Sequence, residues 1–77
     1  MMNNRAEIRI DIENPEIIYN ALMVEGERNI PRTSITLQLG EKNVKILINA
    51  SDVNALRAAI NSYMRWINLS MRILEMV

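Results

Sequence analysis

Ile8, Ile10 and Ile12 alternate with Glu7, Arg9 and Asp11 near the start of the chain. A period of two marks a strand with one buried and one wet face. Asn14-Pro15-Glu16 follows and reads as a helix start. Asparagine caps, proline fits the first helical position, and the acid sits at the positive end. This helix is expected over residues 15–24, burying Ile17, Ile18, Ala21 and Leu22. Gly26 and Pro31 bracket a polar connection. A second strand over 33–39 places Ile35, Leu37 and Leu39 on one face. Residues 40–43 form a hairpin loop around Gly40, and a third strand over 44–50 turns Val44, Ile46 and Ile48 inward. Ser51 and Asp52 are both possible caps for a final helix. The order β-α-β-β-α predicts a two-layer α+β fold. Its antiparallel three-stranded sheet has the order 1-3-2, with both helices on one face. No linker or repeat divides the chain, so residues 1–77 are expected to form a single domain.

The last helix carries most of the information. Residues 52–77 contain no Gly and no Pro. If helical throughout, they span ~39 Å, against ~23 Å for a seven-residue strand. The helix should therefore outrun its own sheet. At 100° per residue, Leu56, Ile60, Tyr63, Ile67 and Leu74 form the expected core stripe. Opposite runs a polar stripe of Asn54, Arg57, Asn61, Arg65, Asn68, Arg72 and Glu75. One flank begins small, with Ala55, Ala58, Ala59 and Ser62, and ends large, with Trp66, Leu69, Ile73 and Met76. Two covers suit the large end: the first helix folded over it, or a partner protein. Contiguous apolar patches of this kind are seldom left to water. The second strand, an edge in the 1-3-2 order, has no charge across residues 33–39. Such an edge either pairs with a second copy through Ile35, Leu37 and Leu39 or lies under the loop of residues 25–32.

Composition narrows the chemistry. The chain has 77 residues, nine basic and nine acidic, with no His and no Cys. Disulfides, thiolate sites and imidazole catalysis are absent, and the support left to so small a core is another chain. Residues 1–52 carry eight acids and six bases, and residues 53–77 carry three arginines and one glutamate, so charges of −2 and +2 cancel. The carboxylates, such as Asp11 with Glu13, are local pairs at wet positions with no base or nucleophile converging on them. No enzyme activity, cofactor, metal site or membrane span is expected. The polar N-terminus and the missing cysteines suit the cytoplasm.

The run Ala55-Leu56-Arg57-Ala58-Ala59-Ile60-Asn61-Ser62-Tyr63-Met64-Arg65-Trp66 carries a family pattern, LRA-x-x-NSY-x-RW. With the Asn14-Pro15-Glu16 helix start and the Ala50-Ser51-Asp52 entry, the chain resembles the CTAG/Pcc family of archaeal type. That family supplies the small dimerising subunit of the KEOPS (EKC) complex. The resemblance implies a non-catalytic scaffold within a machine that forms threonylcarbamoyladenosine at tRNA position 37. Its dimer would bridge two copies of a metal-dependent threonylcarbamoyl transferase and aid tRNA binding. The transferase would pack helices against this chain's helices. Candidate contacts are Ile18, Leu22, Tyr63, Trp66, Leu69, Ile73 and Met76.

Arg57, Asn61, Arg65 and Arg72 admit three readings: contact with tRNA phosphates, a solvated helix face, or pairing with carboxylates inside the complex. A stand-alone RNA-binding or transcription-associated domain is the alternative function. Against a KH-type module, the only glycines are Gly26 and Gly40, so no GxxG loop exists.

Overall fold

The computed structural model describes residues 3–26 and 30–75. The elements run β1 (Asn4–Asp11), α1 (Pro15–Gly26), β2 (Thr33–Leu39), β3 (Asn43–Ala50) and α2 (Val53–Glu75). β3 is the middle strand of an antiparallel β1-β3-β2 sheet. Its burial alternates strictly, with Val44, Ile46, Ile48 and Ala50 buried. Ile46 is flanked in register by Ile8 on β1 and Leu37 on β2, and Ile48 by Ala6 and Ile35. This is the inward face predicted from the period of two. The β-α-β-β-α order and the 1-3-2 sheet stand as expected.

The hairpin closes where the Gly40 N–H donates to the Asn43 carbonyl at 2.9 Å. A Cβ at Gly40 would meet the Asn43 side-chain oxygen at 2.6 Å, so a larger residue there requires the Asn43 side chain to move. At the opposite end of the sheet, Arg32 is the one non-glycine residue with positive φ, 61°, among the described residues. Its carbonyl accepts from the Ser51 N–H at 3.0 Å, and its guanidinium meets Asp52 Oδ2 at 2.9 Å. Asp52 Oδ1 accepts from the Ala55 N–H at 2.7 Å. Asp52 is thus the α2 cap, and Ser51 instead ties the turn before β2 to the end of β3.

Two sequence-based expectations about the helices are corrected. In α1 the buried positions are Pro15, Ile18 and Leu22, spaced as one helix face, and Ile17 is exposed. In α2 the fully buried line is Ala55, Ala59, Tyr63 and Ile67, while Leu56 and Ile60 are only half-buried. The alanines let the α2 backbone come closest to the sheet, and the larger Leu56 and Ile60 lodge beside that contact. This four-residue spacing is an oblique ridge, so α2 crosses the sheet diagonally.

The ridge drifts around the helix as it advances. The face that enters the core at Ala55 has left it by Ile73, five turns on, where the side chain is 63% exposed. Twenty-three residues of helix reach ~34 Å, and eight of strand reach ~26 Å. The molecule is accordingly long, 41 × 21 × 17 Å.

Replacing Asp52 with Ala should lower stability by about 1–2 kcal/mol through loss of the cap. Ser51→Ala should cost a few tenths at most; urea denaturation of both variants reads the difference. Tyr63 lies fully inside the core, and burial raises its hydroxyl pKa above the ordinary 10.0. The folded state therefore holds this proton more tightly than the unfolded chain does. The corresponding stability is complete below pH 10 and is lost as pH rises beyond it. Tyr63→Phe should flatten the alkaline fall in stability relative to the parent protein.

Candidate interaction surface

The far half of α2 and the outer side of α1 make one apolar surface. α1 is apolar almost all round: Ile17, Ile18, Tyr19, Ala21, Leu22, Met23 and Val24. A helix of that kind needs cover on more than one side. Ile18 and Leu22 face the core, which leaves Ile17, Met23 and Val24 in water at 47–67% exposure. Between α1 and α2 runs a groove of about 430 Å³, lined by Ala21, Val24, Glu25, Trp66, Leu69, Ser70 and Ile73. Its floor and walls are mainly hydrocarbon. Helical geometry sets Arg65 and Arg72 beside Leu69 on the rim away from α1.

The predicted contact residues divide sharply. Ile18, Leu22 and Tyr63 are at most 1% exposed and belong to the chain's own core. They offer no surface to another protein, so their assignment as contacts is corrected. The reason is the diagonal path of α2, which carries Tyr63 directly over the sheet. Trp66 is half-buried, with its ring at 4.9 Å from that of Tyr63 in an edge-on arrangement. It shapes the groove and braces the core together. Leu69 and Ile73 are exposed at 52% and 63% and are open to contact. Met76 lies outside the described residues. Sequence reasoning missed Val24 and Ile17. Their signal was present, since α1 has too few polar positions to make a wet face.

Arg57, Asn61, Arg65 and Arg72 are all exposed along one side of α2. None of the three arginines is in an ion pair within the described residues. On β2, Ile35 and Leu37 are half-buried towards the helices, and Leu39 is exposed at the hairpin end. No strand pairs the outer edge of β2 among the described residues.

Other chemistry is sparse. Among the described residues no charged side chain is buried, the Tyr63 hydroxyl is carried into the core, and no three potential metal ligands cluster. No described helix is long and apolar enough to cross a membrane.

The sequence resembles known proteins over nearly its whole length. A family model described as Transcription factor Pcc1 matches residues 5–75. The protein named KEOPS complex subunit Pcc1, from Pyrococcus abyssi (strain GE5 / Orsay), is 28% identical over 82 residues. That similarity covers 97% of this chain and 99% of the relative. The family match takes in the capped start of α2, its alanine ridge and its overhanging end, and the chain belongs to the Pcc1 family.

Proposed function

We propose that this chain is a non-catalytic, dimerising scaffold subunit of a KEOPS complex in the cytoplasm. One observation carries the reading: α2 leaves its own sheet with Leu69 and Ile73 uncovered beside an apolar groove. The name of the Pyrococcus relative supports the choice of complex. The groove suits a helix, because ridges of large side chains pack into grooves between helices. The occupant we assign is a helical segment of the threonylcarbamoyl transferase subunit. Two copies of the chain would bridge two transferases, and the assembly would act on position 37 of tRNA. The chemistry would lie in the transferase. Self-association would use an open sheet edge, either β2 with Ile35, Leu37 and Leu39 or β1.

Burying Leu69 and Ile73 is worth ~1.5–3 kcal/mol each. Leu69→Glu and Ile73→Glu should therefore each weaken transferase binding by at least about tenfold. Both side chains are exposed, so the fold should survive, as circular dichroism would verify. Retention of both variants by the transferase at wild-type affinity would refute this surface. Trp66 is a poorer probe, since its loss would also disturb Tyr63.

The row of unpaired arginines favours a second role, contact with tRNA phosphates. Replacing Arg57, Arg65 and Arg72 by Ala should weaken tRNA binding by the assembled complex and flatten its salt dependence by about 2–3 in logarithmic slope. A tight, salt-sensitive gel shift by the isolated chain would instead favour the stand-alone RNA-binding reading.

A further inference from the structure

The sheet face away from the helices holds a depression of about 360 Å³. Leu47 lies half-buried in it, between Glu7 on β1 and Thr36 on β2. Two residues along β3, Asn49 stands beside Arg5. Four polar side chains, Arg5, Glu7, Thr36 and Asn49, thus border one apolar floor. None of these side chains makes a hydrogen bond or an ion pair with another described residue.

Two residues the other way along β3, Lys45 faces Arg9 on β1. The Ile12 N–H donates to the Lys42 carbonyl at 3.0 Å, so the even residues of β1 exchange backbone bonds with β3. Arg9 and Lys45 are therefore a non-hydrogen-bonded pair, the kind in which side chains stand closest. Like charges so placed repel. Lys45 has no acidic partner among the described residues, and the ion pair of Arg9 with Asp11, 2.9 Å, is open to solvent. An exposed pair of that kind holds its guanidinium weakly. An anion between Arg9 and Lys45 would relieve the repulsion.

Together these groups match the parts of a nucleotide. Leu47 offers a flat apolar floor for a base. The Asn49 amide presents a donor and an acceptor side by side, the complement of the N6 and N7 edge of adenine. The Glu7 carboxylate can accept from both hydroxyls of a ribose. Arg9 and Lys45 lie roughly 7 Å along the strands from Leu47, on the side where a 5′-phosphate would fall.

The same charges disfavour a longer strand. Glu7 and Asp11 flank Arg9 on β1, so the next phosphates of an RNA chain would meet carboxylates. Binding along a strand needs a continuous positive track. Strand pairing at either sheet edge takes up backbone groups and leaves this face open.

We propose that the outer sheet face binds one free adenine nucleoside monophosphate. The base rests on Leu47 against Asn49, the ribose meets Glu7, and the phosphate sits between Arg9 and Lys45. This site lies across the sheet from the apolar groove and is independent of what occupies that groove.

Nuclear magnetic resonance titration of the isotope-labelled full chain with AMP tests it. Saturable shifts should centre on the amides of residues 5–9, 36–38 and 45–49. Deoxy-AMP, which lacks the 2′-hydroxyl, should bind at least about threefold more weakly. Glu7→Ala should abolish that preference. Lys45→Ala should weaken AMP binding at least about fivefold and leave adenosine binding unchanged. Both side chains project from the wet face, and Lys45→Ala removes a repulsion, so the fold should survive. Inorganic phosphate giving the same shifts with equal affinity would reduce the site to an anion contact and overturn the assignment. So would an RNA oligonucleotide bound more tightly than AMP, shifts centred on Arg57, Arg65 and Arg72, or no saturation up to about 10 mM AMP.

Discussion

Ala55 and Ala59 fix how α2 rests on β3. Both methyl groups are buried, Ala59 in one cluster with Ile46 and Ile48, and the four-residue ridge they begin sets a diagonal course. Tyr63 and Ile67 continue that ridge into the core. Beyond them the helix has no more sheet to lie on. The buried tyrosine, the half-buried tryptophan and the bare Leu69 and Ile73 are successive consequences of one crossing geometry. The groove beside α1 exists because α2 departs from the sheet while α1 still flanks it.

The strands were readable because their signal is local. Alternation at Ile8, Ile10 and Ile12 and at Val44, Ile46 and Ile48 fixes which face is inward, and Gly40 marks the hairpin between β2 and β3. The start of α2 was also legible, although its two candidate caps were not separated. That choice depends on Arg32, nineteen residues before Ser51 in the chain, whose turn engages both residues. The rotation of α2 was misjudged for a related reason. A helical wheel ranks Leu56 and Ile60 above the alanines by hydrophobicity, whereas contact with a sheet is decided by how closely two backbones approach. Tyr63 was named a contact residue although the same wheel placed it in the core stripe, where it lies. Ile18 and Leu22 were assigned outward although the α1 periodicity placed them inward as well. The open apolar end of α2 was legible from helix length alone.

The division of labour within so small a chain follows from these placements. The core consumes the inner faces of three strands and one side of each helix. Much of the remaining apolar surface lies along α1 and the far half of α2, with Leu39, Val53 and Met64 exposed elsewhere, and the charged residues fall into separate rows: arginines along α2 and alternating signs along β1. Among the described residues no charged side chain is buried, so the charges lie at the surface. Such a molecule is suited to holding other molecules in fixed relation. Membership of the Pcc1 family gives that suitability a setting.

Hydrogen–deuterium exchange of the chain alone and with the transferase subunit proposed as its partner tests the central claim most directly. The account predicts faster amide exchange over residues 69–75 than over 55–67 in the free protein, and strong protection of 69–75 in the complex. Residues 55–63, already packed on the sheet, should change little. Equal exchange over 69–75 in the two states, with protection appearing elsewhere, would contradict it.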